Sequence, residues 1–278
     1  ANTDMLFDRF KLLGTQGMMG MVLSGLNMAL WDAKARAEGK ALADLFGGAT
    51  QKIVPYGNVG FDGVAGSAEG AAKFAAAGFK AVKAKIGYET IADDLAVVRG
   101  MRDAVGPDVE LMVDYNQSLS LDEARVRLNA LEGEGLTWVE EPILSHDFKN
   151  YAALQKATNT PLQAGENWWA PTDFQTAVDL GTTSMIMPDA QKCGGVTGWM
   201  RIAKLAEQNN IKVSSHLWPE LSAQLLSITP TAHWLEYADW FNPVVREPLK
   251  IENGYAIIDG VIGTGIELND EALATYAV

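Results

Sequence analysis

Asp114 in LMVDYNQ, Glu140 in LTWVEEP and Glu166 in LQAGENW stand 26 residues apart, and each closes a short apolar run. An interval of that size holds one strand and one returning helix, so a chain that repeats it folds most simply as consecutive βα units of a parallel barrel. The C-terminal ends of barrel strands meet at one rim, and the three carboxylates then project from it together. Acids after a strand also serve as helix caps. Three hard oxygen donors in step, without thiolate or imidazole among them, suit Mg²⁺ better, because that ion keeps its remaining positions for water or substrate.

The rest of the chain keeps the same rhythm. Eight β-rich runs, IVPYGN, KAVKAKI, VELMVDYN, TWVEEP, PLQAGEN, SMIMPD, IKVSSH and AHWLE, follow one another between residues 51 and 240. Amphipathic stretches such as IADDLAVVRGMRDAV and TGWMRIAKLAEQNN separate them. The last run leads into YADWFNP, which has no helical periodicity, so the expected fold is α/β, a modified TIM barrel of (β/α)7β type. Residues 1–50 contain one amphipathic helix, SGLNMALWDAKARAEG, and residues 241–278 a β-rich tail with turns at ENG and IDG. Neither piece is large enough to be a domain, so both are expected to pack beside the barrel.

Composition sets limits on partners. With 278 residues, 48% of them hydrophobic, the chain can bury a large core. No apolar stretch reaches the roughly 18 residues a membrane span needs, and ANTDMLFDRF lacks the basic-then-apolar pattern of a signal peptide. A single cysteine, Cys193, precludes an intrachain disulfide and reads as a small buried thiol, so a cytoplasmic location is expected. The net charge of −13 opposes nucleic acid and anionic membranes. An anionic substrate would need local positive charge to enter.

Several side chains supply chemistry at the expected rim. Lys83 and Lys85 lie two apart in KAVKAKIG, on one face of their strand, where crowding of like charges favours loss of a proton. His216 ends IKVSSH and Asp189 ends SMIMPD, so adjacent strands deliver an imidazole and the carboxylate that would orient it. Glu236 closes HWLE at the eighth strand. Two bases around one metal allow an α-proton to leave a bound carboxylate on one side and return on the other, with metal and cationic donors stabilising the enediolate. Gly194-Gly195 reads as a turn after the sixth strand rather than a phosphate cradle.

Taken together, KAKIG, VDYNQSL, WVEEP, GENW, MPDAQKCGGVTGW, SSHL and PTAHWLE resemble the mandelate racemase group of the enolase superfamily over nearly the whole chain. The resemblance implies Mg²⁺ on Asp114, Glu140 and Glu166, with Lys85 and His216 as the two bases and Asp189 orienting His216. It implies Glu236 as the acid that hydrogen-bonds the substrate carboxylate, Lys83 as the cation beside it, and Asn116 near the substrate hydroxyl. Asn58 stands where the family's racemase has a serine, and Asn still donates. The implied partners are a small-molecule 2-hydroxy carboxylate and further copies of the chain in a homo-oligomer.

By the same resemblance, residues 1–50 are the last helical part of an α+β capping domain and residues 241–278 pack back on it. The preceding capping strands and the loop that sets specificity are absent from these residues, which leaves an apolar face uncovered. The first expectation is a racemase of a mandelate-like acid. Trp168, Trp169, Leu217 and Trp218 favour an apolar substrate group if they line the pocket. An acid-sugar dehydratase of the same superfamily is the alternative, in which protonated His216 expels a β-hydroxyl. A truncated, inactive barrel and a Schiff-base aldolase on Lys83 or Lys85 follow behind.

Overall fold

The computed structural model describes residues 3–49 and 51–276. It opens on helices α1 (Asp4–Phe10) and α2 (Met18–Ala37). An unbroken alternation then begins with β1 (Val54–Val59), α3 (Gly63–Ala76), β2 (Ala81–Lys85), α4 (Ile91–Val105), β3 (Glu110–Asp114) and α5 (Leu121–Leu131). It continues through β4 (Leu136–Glu140), α6 (Phe148–Ala157), β5 (Leu162–Ala164), α7 (Ala170–Leu180) and β6 (Met185–Ile186). It ends with α8 (Gly195–Asn209), β7 (Lys212–Val213), α9 (Pro219–Ser227) and β8 (Trp234–Tyr237). A hairpin of β9 (Lys250–Glu252) and β10 (Tyr255–Ile257) and a last helix, α10 (Asp270–Tyr276), follow.

Local chemistry sets the helix starts. Thr90 with Asp93 and Ser120 with Glu123 form reciprocal capping boxes at α4 and α5, so amides with no partner inside the helix are satisfied by side chains. After β8 there is only a single 3₁₀ turn, Asn242–Val244, before the tail. The barrel is therefore of (β/α)7β type among the described residues.

All strand pairs of the barrel are parallel, in the order β7-β6-β5-β4-β3-β2-β1-β8. The ring closes between its two ends through the bridge Val213↔Ala232 and the bond from Ser215 N to Trp234 O at 3.0 Å. Cα partners Lys83↔Met112, Met112↔Trp138 and Glu140↔Gln163 fix which residues face inward. Tyr56, Ala81, Met112, Trp138 and Met185 form a buried cluster separate from the larger core shared with the helices. Tyr56 meets Trp138 edge-on at 5.6 Å between ring centroids. Apolar packing on both strand faces explains why the runs read as continuous hydrophobic segments.

Residues outside the barrel are tied to it by partly buried polar contacts. Asn27 of α2 donates to Thr197 Oγ1 at 2.8 Å, and Thr197 N donates to Asn27 Oδ1 at 3.1 Å. Leu42 N donates to Gly263 O at 2.8 Å, and Thr264 N to Asp32 Oδ1 at 2.7 Å, so the tail lies against α2 and the segment after it. Met18, Val22, Leu26 and Leu30, four residues apart along α2, stay exposed, Met18 by 82% and Val22 by 62%. No helix among the described residues is long and apolar enough to cross a membrane.

Candidate active site

Asp114 and Glu140 end β3 and β4, and Glu166 lies just past β5. Each offers an oxygen within 4.8 Å of the others, and all three are buried. Burial raises the pKa of Asp114 and Glu140, with Lys83 opposing the rise and neighbouring carboxylates adding to it. Asp114 and Glu140 are thereby held toward their neutral forms until a multivalent cation joins them. An all-oxygen set of this kind fits Mg²⁺, with ligand positions left over.

Lys83 corrects a sequence expectation. Lys83 is 1% exposed, and its ammonium lies 2.6 Å from Glu140 Oε1, 3.1 Å from Glu236 Oε1 and 4.0 Å from Asp114 Oδ2. Burial alone would strip its proton, but Glu140 and Glu236 outweigh burial and push its pKa well above the usual lysine range. Crowding by Lys85 does not govern it. Such a cation serves as an internal counter-ion and is a poor amine for a Schiff base.

Lys85, two residues further along β2, reaches the mouth and donates to Asn116 Oδ1. Asn116 has φ +44° and donates its backbone N–H to Asp114 Oδ1 at 2.7 Å. Asn58 donates to Glu236 Oε1 at 3.1 Å, and Leu217 N to Glu236 Oε2 at 2.8 Å. Burial favours the neutral form of Glu236, yet Lys83 and His216 override it and bring the pKa down to about 2.

His216 Nδ1 lies 2.7 Å from Asp189 Oδ2, while Nε2 lies 3.2 Å from Glu166 Oε2 and 3.9 Å from Glu236 Oε2. Burial would discharge the ring, but Glu166, Glu236 and the Asp189 hydrogen bond raise its pKa to about 9. Lys85 on β2 and His216 after β7 are separated round the closed ring by β1 and β8 on one side and by β3 to β6 on the other. All ten residues singled out from the sequence thus belong to one mouth.

Three residues in the same place were not singled out. Glu141 is buried, has φ +35° and accepts from Asn167 Nδ2 at 2.7 Å. Burial, with Glu166 adding to it, raises its pKa to about 8. Lys192 donates to Asn167 Oδ1 at 2.7 Å. The second Glu of WVEEP is the one legible signal, but strict alternation sends it to the other face. The positive φ breaks that alternation.

Other expectations resolve differently. Trp168 is fully buried and donates to Ser145 O at 2.8 Å, so it belongs to the core and not to a pocket. Trp218 stacks on Phe241 at 5.6 Å. Cys193 is buried, and burial pushes its thiol up. Gly194 and Gly195 have φ +100° and +69°, and a Cβ on Gly195 would stand 2.6 Å from Asn27 Oδ1. The pair therefore turns the chain and lets α2 approach α8.

Residues 66–272 match the family model described as enolase C-terminal domain-like. D-galactarolactone cycloisomerase of Agrobacterium fabrum is 31% identical over 98% of this chain and 78% of its own length. L-talarate/galactarate dehydratase of Salmonella typhimurium is 29% identical over 94% of this chain and 66% of its own. Among solved structures, an enolase from Bradyrhizobium complexed with magnesium and mandelic acid is 40% identical with a TM-score of 0.94. That match covers 99% of this chain and 76% of the other.

Proposed function

The chain belongs to the enolase superfamily, and from that premise we propose that it is a Mg²⁺-dependent acid-sugar dehydratase. The observation that supports this most is the polarity of the mouth. Asn58, Asn116 and Asn167 stand among Lys85, the triad and His216, whereas of the four side chains that would favour an apolar substrate Trp168 lies in the core, Trp218 is stacked on Phe241, and Trp169 and Leu217 are half-buried. Polar groups of this kind suit a polyhydroxy carboxylate. The similar dehydratase and cycloisomerase carry acid-sugar names.

Asp114, Glu140 and Glu166 would hold Mg²⁺, which supplies positive charge for the substrate carboxylate as its α-proton becomes acidic. Lys85 takes the α-proton. His216, oriented by Asp189 at 2.7 Å, donates a proton to the departing β-hydroxyl. Water leaves, and the resulting enol relaxes to a 2-keto-3-deoxy acid. Glu236, Asn58 and Lys83 hold the floor of the site, where Lys83 keeps Glu236 ionised.

The test is incubation with Mg²⁺ and a panel of aldonic and aldaric acids, with α-keto acid trapped by semicarbazide. Keto acid from at least one polyhydroxy acid, abolished in His216→Asn, is the expected result. A racemase is the second reading, favoured by the similarity to the mandelic acid complex. Exchange of the α-proton of mandelate with D₂O, without keto acid from any sugar acid, would replace the first reading with the second.

A further inference from the structure

Asn167 makes three polar contacts with one side chain. Its Nδ2 donates to Glu141 Oε2 at 2.7 Å and to Glu166 Oε1 at 3.2 Å, and its Oδ1 accepts from Lys192 Nζ at 2.7 Å. The partners stand after β4, β5 and β6, so one amide joins three successive loops of the rim.

Both ends of this chain of contacts are pinned. Glu141 donates its backbone N–H to Gln163 O at 3.1 Å and accepts at its carbonyl from Gln117 N at 2.7 Å. Its side chain is buried, and Oε1 has no protein partner, leaving Oε2 on Asn167 as its one protein hydrogen bond. Lys192 lies over the ring of Trp169, 5.9 Å from its centroid. An amide is the side chain this position requires, because it donates to two carboxylates and accepts from an ammonium at once. Aspartate there would set a third carboxylate against two others.

We propose that Asn167 is a positioning residue of the metal centre, anchored by Glu141 and Lys192, and that it holds the Glu166 carboxylate in the orientation that takes Mg²⁺. Ligands to metals are aimed by partners outside the coordination shell, and loss of such a partner typically weakens metal binding about 10–100-fold. The inference rests on the metal centre and not on which acid is turned over.

The test titrates Mg²⁺ calorimetrically into the whole chelator-stripped chain without substrate, so its outcome is separate from that of the dehydratase assay. The thermal midpoint in chelator reports the fold. Asn167→Ala should raise the Kd for Mg²⁺ by roughly 10–100-fold with little change in that midpoint. Lys192→Met should shift it the same way by less. Glu141→Gln, whose amide oxygen still accepts from Asn167, should retain most of the affinity. Wild-type affinity in Asn167→Ala overturns the proposal, as does a loss in Glu141→Gln equal to that in Asn167→Ala, which would make charge rather than aim the agent. Should Asn167→Ala fail to fold, an unchanged Kd in Lys192→Met overturns it, since Lys192 is half-buried at the rim.

Discussion

Replacing Lys83 with methionine removes one ammonium from among three carboxylates. Glu140 loses a contact of 2.6 Å, Glu236 one of 3.1 Å, and Asp114 a partner at 4.0 Å. Taking one partner from a buried ion pair leaves an uncompensated charge and destabilises by about 3–5 kcal/mol. At about 2–4 °C per kcal/mol for a chain of this size, Lys83→Met should melt roughly 6–20 °C lower in chelator at neutral pH. The penalty should shrink in acid. Glu140 already has a folded pKa above its unfolded value, and loss of Lys83 raises it further, so the folded state binds protons that the unfolded state has released. The deficit is then smallest below the ordinary carboxylate pKa and grows as pH rises through the raised one. Calorimetric melts at pH 5 and pH 7, in chelator and then in excess Mg²⁺, measure both trends. A deficit under ~1 kcal/mol, the size of an exposed pair, or one independent of pH would refute this account of Lys83.

His216 should titrate near 9 in chelator by proton NMR of its ring, and Asp189→Asn should bring that midpoint down. Because the folded pKa is raised, its contribution to stability is full below the unfolded value near 6.5 and is lost as pH rises through about 9; a midpoint near the unfolded value contradicts the carboxylate cage. Gly195→Ala places a Cβ 2.6 Å from Asn27 Oδ1 at φ +69°, and should destabilise by about 1–3 kcal/mol in a denaturant melt. An unchanged midpoint would show that α2 does not depend on this close approach.

The parts of the site that sequence reveals are those that obey a period. Asp114 and Glu140 are strand ends, Glu166 lies just past one, and apolar runs mark all three. Asp189 and His216 are legible for the same reason, although β6 and β7 shrink to two residues each and the pair is joined by a single parallel bridge. Glu141 escapes because a positive φ turns it against the alternation, and Asn167 and Lys192 because loops carry no period. The environment of Lys83 is invisible for a different reason. Its partners are carried by β4 and β8, and nothing local in KAVKAKIG shows that an ammonium there faces carboxylates rather than a second lysine. The aromatic reading failed at Trp168 because GENWW names two adjacent rings without saying which one enters the core.

The closing strand also has a bearing on how the chain acquires its structure. β8 pairs with β1 over four register positions, including Tyr56↔Glu236, but its seam with β7 is thinner, a bridge from Val213 to Ala232 just ahead of β8 and a few backbone bonds such as Ser215 N to Trp234 O. The Asn58 to Glu236 hydrogen bond joins residues 178 apart in sequence, so ring closure bears the entropy of a very long loop before its contacts are gained. On a ribosome, β1 through β7 emerge before their final neighbour exists. Until β8 docks, Lys83 lacks Glu236 and His216 lacks one of its flanking carboxylates, so the charges at the mouth come into balance only with the last strand. The electrostatic assembly of the site and the topological completion of the barrel are in this sense one late event.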